Sequence, residues 1–489
     1  MQVGPRRGPE VTLWSQIPTI HPESGGLSAR LSARKKLVDE PFCTTRQYSY
    51  DSQQIRFSQL KIANETIIVL SNAKIVKEIL EDRANETSER PYTHTLDVVT
   101  GGNYFAFSGS ESQVWKFGRK AMQSLVSLQA VQTHLHVAEK ESARLLYDIL
   151  HQPEVHDPIP LIFPFRILIR VLQHIYTHIT RFTYSFMASV LYGKPAPRID
   201  SQDFTLFCDY FHHFTKMLSP GDAAPVDLFP VLKYVPERWA PWKKLWRKTR
   251  QLQRMLYFSL LDHTEQEFRH GPVGGGTIME GLLEKMPGDV VNREMLGTDL
   301  ATFRYIGGVM LDGGTETSAA LIQSLILCLL KSPESLQKAQ EELDAVVSRE
   351  RLPFASDIDH LPYVQALIKE VFRIRSVGPS GVPHAAGKDF QYDEYIIPMG
   401  ATIFINMWGM MHDPELFERP EEFWPERYLM TPDGTKPGLN KGYTIGLNFM
   451  FGCGKSLAVM RLLWAFDISP IDGEVTQHWR EIEVEYKDV

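Results

Sequence analysis

The chain has 489 residues, 43% of them apolar, and a formal net charge of −7. That length allows two or three domains or one large helical enzyme domain, and the apolar share argues against disorder. The mild acidity gives no reason to expect a nucleic-acid partner. Four widely spaced cysteines, Cys43, Cys208, Cys328 and Cys453, offer neither a disulfide framework nor a C-x-x-C metal pair.

Residues 1–45 read as a loose leader, rich in Pro, Gly, Ser and Arg, without the apolar run of a signal peptide or anchor helix. Residues 46–489 read as a single domain. ETIIVLSN at 65–72 is β-branched and ends at Ser-Asn, as a strand does. AKIVKEILEDR, which follows, has helical periodicity. Helical patterns then dominate from about 112 to 350, interrupted by Pro-rich segments and a Gly cluster at 271–276. PIPLIFPFRILIRVL at 158–172 carries three prolines and two arginines, and no run of about 18 uncharged apolar residues occurs. Residues 153–181 look like an insertion. Residues 225–250 interleave three tryptophans with seven Lys or Arg. This suits the headgroup zone of a membrane, and equally an internal loop with solvated charges. A second β-rich patch spans about 382–406, and a last helix starts near 455. The expected fold is mainly α with small β-sheets near the two ends.

Residues 308–334 form a long helical pattern whose apolar start marks it as central and buried. Inside lies Gly313-Gly314-Thr315-Glu316-Thr317-Ser318. Each interior glycine costs about 1 kcal/mol relative to alanine. The pair is therefore expected to open a local bulge or to let a ligand approach the backbone. The bland alternative is a tolerated kink with Glu316 at the surface. Glu370 and Arg373 stand at i,i+3 on a helix, and Arg427 follows in FWPERYL. Trp115 and Arg119 stand at i,i+4, on one helix face. His384 lies in GVPHAAGKDF, and Phe451-Gly452-Cys453-Gly454-Lys455 precedes an apolar helix.

In this order the motifs resemble those of the cytochrome P450 superfamily, the haem-thiolate monooxygenases. The resemblance covers roughly residues 60–468. RLLWAFDISP at 461–470 is similar to fungal members, including the O-methylsterigmatocystin oxidoreductase group. The resemblance implies haem b with its iron and insertion of one oxygen atom from O2 into a lipophilic small molecule in fungal secondary metabolism. Electrons would come from NADPH through a separate reductase. It further implies the cytosolic face of the endoplasmic reticulum membrane, with peripheral or soluble placement for a chain without an anchor. By resemblance, Thr317 hydrogen-bonds the bound dioxygen, Glu316 relays protons to it, and Gly313 and Gly314 form the oxygen groove. Trp115, Arg119 and His384 would hold the haem propionates, and Glu370, Arg373 and Arg427 would form one buried network.

The ligand cassette departs from the family pattern, F-G-x-G-[RK]-R-x-C-x-G, and two alignments remain open. In one, Cys453 is the metal ligand and residues have been lost on both sides of it. In the other, Phe451, Gly452 and Gly454 keep F-G-x-G-K intact, Cys453 fills the variable position, and one block holding the ligand is absent. Under either, the interval from Phe451 to Trp464 is about a dozen residues short. Ser376 also replaces the proline expected after the E-x-x-R arginine, Arg373. The alternatives to an active monooxygenase are an impaired member that binds haem poorly and a non-enzymatic helical binding protein.

Overall fold

A computed structural model describes residues 43–47, 57–62, 65–125, 132–151, 167–170, 173–219, 224–270, 276–284, 300–393, 395–439 and 453–469. The leader up to residue 42 and the segment 440–452 lie outside the described residues.

The sheet strands are β1 (Cys43–Gln47), β2 (Phe57–Ile62), β3 (Glu65–Leu70), β4 (Ile167–Arg170), β5 (His384–Ala385), β6 (Phe390–Tyr392), β7 (Tyr395–Ile397), β8 (Thr402–Ile405) and β9 (Phe466–Ser469). Five pair in the order β1-β2-β3-β8-β5. The β3–β8 contact is parallel, with Ile68 opposite Ile403, and the other pairings in that sheet are antiparallel. The strand expected at 65–72 therefore shares one sheet with β5 and β8 from the patch at 382–406, while β6 and β7 of that patch pair with each other in a separate two-stranded sheet.

The longer helices are α1 (Gln113–Leu125), α2 (Leu135–His151), α3 (Gln173–Tyr192), α4 (Gln202–Leu218), α5 (Pro241–His270), α6 (Leu300–Lys331), α7 (Pro333–Val346), α8 (Pro362–Ile374) and α9 (Cys453–Ala465). Helices α7 and α8 open on proline, whose missing N–H costs nothing in a first turn. Two expectations need correction. The segment 153–181 is not wholly an insertion: β4 pairs in parallel with β9, and α3, starting at Gln173, packs along α6. Residues 153–166 lie outside the described residues. The glycine pair opens no bulge, because α6 runs unbroken through it; close packing on both sides outweighs the weak helix propensity.

Helix α6 is long and apolar enough to cross a membrane, but it is the core helix here. Its N-terminal half, from Phe303 to Leu311, packs into a cluster with α3, α4 and α5. Its C-terminal half, from Ala319 to Leu329, packs into a second cluster with α2, α7, α8 and α9. A third cluster backs the sheet.

Candidate active site

The hexapeptide motif occupies the interval of α6 between the two cores. Gly313 and Thr317, one turn apart, are exposed, although the helix on either side of them is buried. Among the described residues, a Cβ at Gly313 would meet nothing within 4 Å. Protein interiors are close-packed, so open space beside the middle of a core helix is a groove. The Thr317 hydroxyl donates to the Gly313 carbonyl oxygen at 2.7 Å, which orients its Oγ1 along that groove. Gly314 has a different task. A Cβ there would lie 2.4 Å from the Met187 Cε of α3, so its bare backbone admits a packing side chain. Only one of the two glycines faces open space.

Glu316 is half-buried on the flank of the same helix. Burial, and then the charge of Asp312, push its carboxyl up to about 7. Cys208 of α4 faces it: burial and the Glu316 charge push that thiol up to about 12. Glu316 is thus an acid able to gain and lose a proton near neutrality, beside a hydroxyl in a groove. Glu316 is half-buried and not a freely solvated surface acid.

The expected arginine network is present. Glu370 Oε2 accepts from Arg373 Nε at 2.9 Å and Arg427 Nε at 3.0 Å. Its Oε1 accepts from Arg373 Nη2 at 2.9 Å and the Trp424 N–H at 2.9 Å. Both guanidiniums spend their remaining donors on carbonyls, of Met411, Pro420 and Glu422 for Arg373, and of Glu418 and Arg419 for Arg427. All three side chains are buried. Every charge is therefore paired and hydrogen-bonded, the condition under which such groups tolerate burial.

Trp115 is half-buried and Arg119 exposed on α1, which packs against α6. His384 opens β5, and its Nδ1 lies 2.9 Å from the Thr87 carbonyl oxygen. A carbonyl only accepts, so Nδ1 carries the proton. Burial and the neighbouring Arg90 then depress the pKa of the ring. A neutral ring in this tautomer presents a bare Nε2, which accepts hydrogen bonds and cannot donate to a carboxylate. The cation at this position is Arg90, which sequence reasoning missed. It donates to the carbonyls of Val382 and Pro383 at 3.1 and 2.7 Å. Asp312 was missed as well, although an acid in the apolar run GVMLDGG is a legible signal. Cys453 begins α9 and Gly454 sits in its first turn, whereas Phe451 and Gly452 lie outside the described residues. Nothing is described of the Cys453 side chain.

The sequence profile of the family described as cytochrome P450 matches residues 48–443. The chain belongs to the cytochrome P450 family. A cytochrome P450 monooxygenase of Armillaria gallica is 33% identical over 443 residues, covering 88% of this chain and 79% of the relative. A second, from Rhodocybe pseudopiperita, is 33% identical over 427 residues, covering 84% and 75%. A zebra fish cytochrome P450 solved with abiraterone shares the fold at a TM-score of 0.63 and 21% identity, over 86% of this chain and 90% of that one. The family match ends at residue 443, before Phe451. P450 membership makes haem iron the cofactor and monooxygenation the reaction class. The open position at Gly313 and the hydroxyl of Thr317 fit a haem face lying along α6.

Proposed function

We propose that this P450 inserts one oxygen atom from O2 into a lipophilic small molecule, in fungal secondary metabolism. The observation that carries the reading is the groove at Gly313 and Thr317, opened in the middle of a buried helix and flanked by an acid that titrates near neutrality. Bound haem supplies the activation of dioxygen. The chain supplies proton delivery and exclusion of water. Gly313 leaves room for a diatomic ligand against the helix. Thr317 Oγ1 holds a proton at the groove, and Glu316 replenishes it from the flank. Trp115 and Arg119 on α1 and Arg90 beside His384 are the groups proposed to meet the propionates. Arg90 and Arg119 contribute charge, Trp115 an N–H donor, and His384 the fixed edge of the sheet. Cys453 is the proposed iron ligand.

Electrons are proposed to come from NADPH through a separate reductase. A cytosol-facing membrane surface, as on the endoplasmic reticulum, is the proposed location. Tyr234, Val231 and Trp239, between α4 and α5, are 84%, 70% and 64% exposed, which favours contact with lipid. Of the three tryptophans there, Trp239 is exposed, Trp246 is core and Trp242 packs against that core.

The test is turnover of the haem-loaded chain with a reductase, NADPH and 18O2 on a panel of lipophilic compounds. A product carrying one 18O atom supports the reading. Loaded chain that consumes NADPH and never oxygenates any compound overturns it. One observation favours a second reading, an impaired member that binds haem poorly: the family match stops short of Phe451 and helix α9 already starts at Cys453.

A further inference from the structure

Asp312 lies one turn before Glu316, so both project from one face of α6. It is 3% exposed. Its Oδ2 accepts three tyrosine hydroxyls: Tyr257 of α5 at 2.5 Å, Tyr210 of α4 at 2.7 Å and Tyr104, ahead of α1, at 3.1 Å. A second layer steadies these donors. Gln253 Nε2 donates to the Tyr210 hydroxyl at 2.8 Å, and the Tyr305 hydroxyl donates to Gln253 Oε1 at 3.0 Å. Among the described residues, the buried Asp312 Oδ1 finds no hydrogen-bond partner, and neither does the Tyr192 hydroxyl of α3.

Three donors converging on one carboxylate oxygen are an arrangement for an anion. Burial opposes that anion, and the balance leaves the carboxyl at about 7. Among the described residues, the titratable groups facing Asp312 are Tyr104, Tyr192, Tyr210, Tyr257, Tyr305 and Glu316. Those facing Glu316 are Asp312 and Cys208. None of these is a cation. Arg250 and Arg254 act on Tyr305 but are not among the groups acting on Asp312 or Glu316, so negative charge placed on Asp312 reaches Glu316 through a buried neighbourhood where screening is weak.

We propose that Asp312 is a positioning residue for the distal acid: its carboxylate, held by tyrosines from three elements, makes Glu316 keep its proton beside the groove. Like charges one helical turn apart disfavour double ionisation, so an ionised Asp312 leaves Glu316 as the proton-carrying partner. Glu316 then stands on the flank of the groove as a proton donor at neutral pH and not as a bare carboxylate. This rests on the reading of Glu316 as the acid of the groove. The tyrosine cradle ties the setting to α4 and α5, whose side chains close over α6.

The test is an infrared pH titration of protonated carboxyl groups in the purified full chain, with Glu316→Gln to assign the Glu316 band. In Asp312→Asn, the Glu316 midpoint is expected to fall by about 1–2 pH units, the size of a like-charge effect across one turn at intermediate polarity. If that variant does not fold, Tyr210→Phe and Tyr257→Phe serve. Each removes a donor from the Asp312 anion, lowers its ionised fraction and shifts Glu316 the same way by less. An unchanged Glu316 midpoint in the folded variants overturns the proposal. Turnover separates it from the reading beneath it. If Glu316→Gln oxygenates substrate as well as the parent while the midpoint shift persists, the role of Glu316 fails and the electrostatic link stands.

Discussion

The Thr317 hydroxyl donates to the carbonyl of Gly313, one turn back, at 2.7 Å, and both residues are exposed where their helix is otherwise buried. The bond holds Oγ1 in one rotamer at the edge of the groove. Thr317→Ala removes the hydroxyl and leaves the helix, so haem binding is expected to persist. Without a proton at the groove, reducing equivalents should appear as hydrogen peroxide. The ratio of peroxide formed to NADPH consumed checks this; a ratio equal to the parent's contradicts the role.

The two glycines should respond oppositely to the same substitution. Gly313→Ala places a methyl where nothing lies within 4 Å and gains about 1 kcal/mol of helix propensity, so the melting temperature should rise. Its cost falls on the groove, as weaker dioxygen or haem binding. Gly314→Ala drives a methyl to 2.4 Å from Met187 Cε, so the melting temperature should fall. Thermal unfolding of the two variants side by side decides it.

Glu370 neutralises two buried guanidiniums at once. Glu370→Ala strands both, at a cost of about 3–5 kcal/mol. The expected result is aggregated or haem-free protein. A variant with the parent's melting temperature and haem content would show that the network contributes nothing.

The reduced, CO-bound absorption spectrum tests Cys453. A thiolate ligand shifts the Soret band to the red, and a histidine or water ligand does not. The short interval between Phe451 and Trp464 leaves little chain to wrap a ligand loop. Under the proposed function a red-shifted band is expected; under the impaired reading, which this short interval favours, little haem or a non-thiolate band, unchanged in Cys453→Ser, is expected. A red-shifted band that vanishes in Cys453→Ser would establish Cys453 as the ligand.

The contribution of Asp312 and Glu316 to stability should fall as pH rises through the acidic range. Asp312 moves from an ordinary 3.8 up to about 7 on folding, and Glu316 from 4.5 up to about 7. Between those values the folded chain binds more protons than the unfolded chain, so raising the pH favours unfolding. Asp312→Asn removes one of the two titrations. Its melting temperature should drop less between about pH 4 and about pH 7 than the parent's does. An equal drop in both would contradict the assigned titration.

Local spacing made part of the site legible. Glu370 and Arg373 meet because residues three apart share a helix face, and Thr317 reaches Gly313 because residues four apart do. Those contacts follow from the helix alone, as does the central burial of an apolar helix such as α6. The split between Gly313 and Gly314 does not follow, because two identical residues differ only in which neighbour the helix rotation presents to them. Nor does the neutral tautomer of His384, which depends on a carbonyl 297 residues away in sequence. The cradle of Asp312 joins hydroxyls 208, 102 and 55 residues distant. The sequence by itself determined the helices, the apolar cores and the contacts one turn long, because hydrophobic period and backbone geometry act locally. Only the tertiary structure decided which acid is caged and which glycine faces open space, because burial and convergent hydrogen bonds exist only once distant segments are packed together.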